Sequence, residues 1–152
     1  MRASRHPRRV PPDARHPLVA ERLSRLTPDQ RAAATAPPGP VLCVAPAGSG
    51  KTTTLVARIA WLVDGGADPA GIAAITFNKR AAEELAERLD AALAPLGVEA
   101  EAVRVRTFHA LGREVLRDAG CPVDPLVDRA ALVAELWPGT STADRGRLDT
   151  AF

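Results

Sequence analysis

Val41-Leu42-Cys43-Val44-Ala45-Pro46-Ala47-Gly48-Ser49-Gly50-Lys51-Thr52 is the stretch from which the rest of the chain is read. An apolar run enters a Gly-rich turn and closes on Gly-Lys-Thr. Leu55, Ile59, Leu62 and Val63 then recur at helical spacing. Strand, glycine turn and helix in that order make a phosphate-binding P-loop. Gly48 and Gly50 let the backbone curl so that successive N–H groups face phosphate oxygens. The helix beginning near Lys51 adds the positive end of its dipole. Lys51 is placed to reach the β- and γ-phosphates, and the Thr52 hydroxyl to ligate Mg²⁺. Ala45 stands where the strict pattern has Gly, a mild departure because that position mainly closes the turn. The competing reading, a Gly/Ser loop with an incidental Lys-Thr, leaves the flanking strand and helix patterns unexplained. Residues Ala45, Pro46, Ala47, Gly48, Ser49, Gly50, Lys51 and Thr52, with Thr53 beyond them, are therefore the expected nucleoside triphosphate site.

Outward from the loop, the chain alternates strand and helix. Leu18, Val19, Leu23 and Leu26 suit a short helix. A second helix starts at Thr27: a Thr cap, Pro28 at the first helical position and Gln30 three after the cap. Pro37-Pro38-Gly39-Pro40 separates it from the strand at 41–45. After the P-loop helix, stopped at Gly65-Gly66, Ile72 to Phe77 reads as a second buried strand. Asn78 caps a long helix with Leu85, Leu89 and Leu93 on one face. Val98 to Val105 reads as a third strand, followed by a helix from about Phe108 to Ala119 stopped by Gly120. Asp128 is placed to cap a further helix through Trp137. This alternation predicts an α/β fold, a parallel sheet with helices on both faces and a helical carboxy-terminal segment. The run 41–45 is expected to be the central strand, since it lacks polar alternation. Ligands of such sheets bind beyond the carboxyl ends of the strands, where the P-loop falls.

A chain of 152 residues, 46% hydrophobic and 25% charged, is about one globular domain with a real core. The net charge of +2 says little about partners. Basic residues do gather at the start, where Arg2, Arg5, Arg8, Arg9 and Arg15 lie among four prolines. Residues 1–17 are expected to be a disordered tail. They lack the apolar core of a secretory signal. No apolar run approaches membrane-spanning length. Cys43 and Cys121 have neither disulfide-framework nor zinc spacing, which fits a reducing cytoplasm.

Four segments stand in a fixed order: Leu26-Thr27-Pro28-Asp29-Gln30, Ala45 to Thr52, Ile75-Thr76-Phe77-Asn78-Lys79-Arg80-Ala81-Ala82-Glu83-Glu84-Leu85, and Arg106-Thr107-Phe108-His109. Together they resemble the amino-terminal part of superfamily 1 DNA helicases of the UvrD/Rep type, RecA-like ATPases that translocate on single-stranded DNA. The likeness covers about Leu18 to Gly120, so residues 18–120 resemble part of the first RecA-like domain and 121–152 the start of a helical insertion. It implies ATP and Mg²⁺ as ligands and single-stranded DNA as partner. Gln30 resembles the family glutamine that reads adenine; its amide offers both a donor and an acceptor. Thr27-x-x-Gln30 is equally a capping box, and the resemblance favours adenine. Thr76, Phe77, Asn78 and Lys79, and then Thr107, Phe108 and His109, match blocks that touch DNA in the family. Taken alone, Phe77 reads as core and Asn78 as a cap. His109 has no carboxylate placed beside it by sequence and is not expected to act as a base. Lys79 with Glu83 and Arg80 with Glu84 form i,i+4 pairs on a solvated face. Two departures stand out. Thr53 replaces an Arg that stacks on adenine in many members, and Pro46 replaces a usual Gly.

ATP hydrolysis needs an acidic pair and an arginine finger besides the P-loop. In the resembled family these lie downstream, and no Asp-Glu dipeptide follows Gly120 here. The chain is expected to be the front end of a helicase, inactive alone, with the remainder of the helicase as a possible partner chain. A non-catalytic nucleotide- or DNA-binding module, or a decayed helicase remnant, is the alternative. A small P-loop kinase would leave Thr76 to Arg80 and Thr107 to His109 unexplained.

Overall fold

The computed structural model describes residues 15–123 and 129–136, with single positions at 138, 139, 141 and 143. The described residues fall into two units, one ending at Leu111 and the other beginning at Gly112. In the first unit, helix α1 spans Pro17–Ser24 and α2 spans Pro28–Ala34. Helix α3 runs Lys51–Asp64 out of the glycine turn, and strand β1 is Ala73–Thr76. Helix α4 follows at Lys79–Leu93, then strand β2 at Arg104–Thr107. Helix α5, Phe108–Asp118, crosses the boundary between the units, and α6 is Arg129–Leu136. Asp128 and Trp137, the expected cap and end of α6, lie outside the described residues.

Local chemistry accounts for the helix starts. Thr27 and Gln30 form a reciprocal capping box at α2. Asn78 Oδ1 accepts from Ala81 N at 2.8 Å at α4, and Thr107 Oγ1 accepts from Ala110 N at 3.2 Å inside the start of α5. Gly65 ends α3, followed by Gly66 at positive φ. Val19 of α1, Val56, Ile59 and Ala60 of α3, Leu85, Leu89 and Leu93 of α4 and Ala74 of β1 form one buried cluster. A smaller cluster of Leu26, Ala34 and Ala57 joins α2 to α3. Leu85, Leu89 and Leu93 share the expected buried face, whereas Leu55 on α3 is exposed.

β1 and β2 pair in parallel with Thr76 opposite Thr107, so the fold is mixed α/β with a small parallel sheet. The strand expected at 41–45 is absent. Residues 41–44 join no ladder and make no backbone–backbone hydrogen bond among the described residues. Val41, Leu42 and Val44 are 52%, 89% and 90% exposed. A strand buried on both faces needs a ladder neighbour at each edge. The described chain holds two strands, and they pair with each other.

Residues 15 and 16, the first described, are held by α3. Arg15 Nη1 donates to Trp61 O at 2.8 Å and meets Asp64 Oδ2 at 3.4 Å, and His16 N donates to Asp64 Oδ1 at 3.2 Å. Residues 15 and 16 are thereby docked on α3, and Pro17 opens α1. The Trp61 ring and Asp64 carboxylate supply the flat apolar face and counter-charge that a guanidinium needs.

Candidate functional site

The glycine turn takes the backbone course that its sequence requires. Gly48 and Gly50 have φ of +76° and +79°, a region where a side chain is strained. Gly50 is the N-cap of the 14-residue α3 and offers no side-chain cap. The first N–H groups of α3 therefore lack the side-chain acceptor that Thr27 and Asn78 supply to α2 and α4. Lys51 Nζ donates to Ala45 O at 3.1 Å and Pro46 O at 2.6 Å, so the ammonium folds over its own loop. Thr54 Oγ1 donates to Gly50 O at 3.1 Å and fixes the second turn. Thr52 and Thr53 are exposed in the first turn of α3, and neither side chain makes a hydrogen bond among the described residues. The buried Ser49 Oγ has no hydrogen-bond partner among the described residues.

Gln30 lies against this loop. Its Oε1 accepts from Thr27 N at 3.0 Å, and its Nε2 donates to Ser49 O at 2.9 Å. The amide's orientation follows from its partners, because an N–H can meet only the oxygen and a carbonyl only the nitrogen. The side chain thus completes the capping box at α2 and also touches the glycine turn at Ser49.

Sequence reasoning missed Arg58. Its Nη1 donates to Ala34 O at 3.2 Å and also to Ala36 O. Its guanidinium lies 5.1 Å from the centroid of the Trp61 ring, with Arg15 at 4.7 Å from the same centroid. Desolvation by burial holds the Arg58 pKa below its usual value. Arg58 ties the end of α2 and the chain leading toward the loop to α3. The available signal was an Arg, the one polar residue in the run from Leu55 to Val63, three residues before a Trp.

The second group of predicted residues gathers at the carboxyl edge of the sheet. The register Thr76↔Thr107 sets Phe77 and Phe108 one residue past a paired position on adjacent strands. Phe77 is 86% exposed and Phe108 62%, so the reading of Phe77 as core is overturned. β1 buries Ala74, and position 77 has the parity of exposed Ala73, the opposite face. Asn78 is the cap that its sequence predicts, and Thr76 Oγ1 donates to Asn78 O at 3.1 Å. Lys79 pairs with Glu83 at 3.7 Å and Arg80 with Glu84 at 3.3 Å, both on the surface as expected. His109 is exposed on the first turn of α5. Among the described residues no three His, Cys, Asp or Glu side chains cluster as a metal site, and no helix is long and apolar enough to cross a membrane. Cys43 and Cys121 are free and exposed.

The family described as UvrD/REP helicase N-terminal domain matches residues 26–137, a span holding the glycine turn and the sheet edge. The chain belongs to this family. It is 46% identical over 107 residues to the ATP-dependent DNA helicase UvrD2 of Mycobacterium tuberculosis H37Rv, covering 68% of this chain and 15% of that protein. Against the ATP-dependent DNA helicase Rep of Escherichia coli K12 the identity is 35% over 130 residues, covering 80% and 19%. Against the ATP-dependent DNA helicase PcrA of Bacillus subtilis it is 42% over 96 residues, covering 62% and 13%. The chain thus spans between 13% and 19% of the length of these UvrD/REP relatives.

Proposed function

We propose that this chain is the ATP-binding front part of a UvrD-like DNA helicase. In this reading it forms part of a RecA-like domain over residues 18–120 and leads into a helical insertion over 121–152. The carrying observation is the glycine turn with two positive-φ glycines, opening a 14-residue helix without a side-chain cap. An anion there meets the helix N–H groups and the dipole together. Lys51 turns from the Ala45 and Pro46 carbonyls to the β- and γ-phosphates. The exposed Thr52 hydroxyl is the protein's oxygen for Mg²⁺, which offsets phosphate charge when bound. Gln30 presents its amide to adenine, and Thr53 offers no stacking cation. Calorimetry with ATP–Mg²⁺ tests this reading. Lys51→Ala removes a charge-assisted hydrogen bond worth about 1.5–3 kcal/mol, a loss of roughly ten- to a hundredfold in affinity. Equal affinity in both proteins refutes it.

Single-stranded DNA is the proposed partner of the sheet edge. Phe77 and Phe108 offer exposed faces for bases, and Lys79, His109 and the capped start of α4 suit phosphates. The expected behaviour is a preference for single strands with little dependence on sequence. Phe77→Ala removes stacking worth about 1–3 kcal/mol per base. Fluorescence anisotropy with single- and double-stranded oligonucleotides reads both. If the two bind alike and Phe77→Ala and Lys79→Ala are silent, a nucleotide-binding module alone remains. The chain by itself is expected not to turn over ATP at a helicase-like rate, because these residues include no Asp-Glu pair after Gly120. A DNA-stimulated phosphate-release assay with robust turnover contradicts that.

A further inference from the structure

We propose that Gln30 is a positioning residue for the phosphate-binding loop, holding the Ser49–Gly50 turn in its phosphate-accepting shape through the Ser49 carbonyl. The inference depends on the reading of residues 45–52 as a triphosphate site. Gln30 Nε2 donates to Ser49 O at 2.9 Å. The same nitrogen lies 2.7 Å from where a Cβ on Gly50 would stand, so side chain and turn are in direct contact. Ser49 and Gly50 immediately precede Lys51, and Gly50 sets where α3 begins. A shift of this turn displaces the first N–H groups of the helix, the groups that would meet phosphate.

The other end of the amide is fixed independently. Oε1 accepts from the Thr27 backbone N at 3.0 Å, a bond that does not use the Thr27 hydroxyl. The turn is thereby tied to a helix that packs on α3 through Leu26, Ala34 and Ala57. A carboxamide has two N–H groups and two carbonyl lone pairs. The two internal bonds use one of each. One donor and one acceptor remain, the pair that an adenine edge requires, so Gln30 can read a base without releasing the loop. Base recognition and phosphate recognition are mechanically joined in one side chain.

The consequence is that Gln30 matters to a ligand that has no base. Calorimetry of tripolyphosphate–Mg²⁺ binding to the full chain separates this from a base-reading role alone. Gln30→Ala is expected to weaken tripolyphosphate roughly three- to tenfold, the effect of one lost hydrogen bond. Thr27→Ala is the control: it removes the cap hydroxyl at α2 and leaves both Gln30 side-chain bonds possible. It is expected to lower the thermal midpoint while leaving tripolyphosphate affinity unchanged. Backbone amide resonances of Gly50 and Lys51 in the free protein should move in Gln30→Ala and stay in Thr27→Ala. If Gln30→Ala weakens ATP but not tripolyphosphate, Gln30 reads the base only and the positioning role is overturned. If the two variants weaken tripolyphosphate equally, capping explains the effect and the role is again overturned. If the unaltered chain binds neither ATP nor tripolyphosphate, or Lys51→Ala binds both as well as it does, the triphosphate reading fails first and takes this inference with it.

Discussion

Gly50→Ala and Gly48→Ala form a matched pair from which the contact between Gln30 and the loop can be weighed. Both glycines have nearly the same φ, +79° and +76°. Each alanine therefore faces the same left-handed penalty, about 1–2 kcal/mol. Each also gains the same offset from a stiffer unfolded chain, about 0.4–1 kcal/mol. They differ in surroundings. A Cβ at Gly48 meets open space, whereas a Cβ at Gly50 falls 2.7 Å from Gln30 Nε2. That nitrogen sits at the end of a flexible side chain, so it swings away and gives up its bond to Ser49 O. A neutral hydrogen bond of this kind is worth about 0.5–1.5 kcal/mol net. Gly50→Ala should therefore destabilise the chain by about 0.5–1.5 kcal/mol more than Gly48→Ala. In a Gln30→Ala background the excess should vanish, because there is no amide left to displace. Urea denaturation of the single and double variants measures all of these differences. Equal costs at positions 48 and 50, or an unchanged excess without Gln30, would refute the contact as an energetic link.

Other outcomes follow from packing and charge. Leu89→Ala, at the centre of the main buried cluster, should cost about 2–5 kcal/mol in the same urea experiment, the usual range for Leu to Ala in a core. Leu42→Lys and Val44→Lys should each stay within about 0.5 kcal/mol of the parent, since both side chains lie almost wholly in solvent; a larger loss would show that residues 41–44 are covered. Arg58→Ala removes a cation bonded to the Ala34 and Ala36 carbonyls and should cost about 1.5–3 kcal/mol of stability by thermal or urea unfolding. Its loss should be independent of pH between 5 and 9, because an arginine titrates far above that window. A titrating loss there would contradict the assignment of that energy to the guanidinium.

Much of the fold was written in local signals. Thr27 with Gln30, Asn78 and Gly65-Gly66 each fixed a helix end, because caps act over three or four residues. Leu85, Leu89 and Leu93 revealed their buried face through spacing alone. Residues 41–45 failed for the opposite reason: an apolar run predicts a strand only where neighbours exist to complete its ladder, and pairing is not a local property. Phe77 misled in the same way, since a large apolar side chain near a strand end does not state which way it faces. Gln30 was legible as two separate possibilities. The structure shows the cap, and adds a contact with Ser49, 19 residues away along the chain, that no local pattern announces. Arg58 gave only the faint signal of its spacing to Trp61, because its hydrogen-bond partners are backbone carbonyls, which every residue carries.

The unpaired run before the glycine turn bears directly on the affinity expected of the proposed nucleotide site. Residues 41–44 have no ladder among the described residues, and Lys51 folds over Ala45 and Pro46. The second half of the loop is different: Gly50 is bonded through Thr54, and Ser49 through Gln30. On the proposed reading of residues 45–52, a triphosphate would fix the entering half while meeting a largely formed exit half. Fixing one residue's backbone costs about 1–2 kcal/mol, close to a factor of ten in affinity. Pairing residues 41–44 with further strands would meet that cost before the ligand arrives. The same completion would cover Leu42 and Val44, so affinity for ATP and protection of this apolar run should rise together.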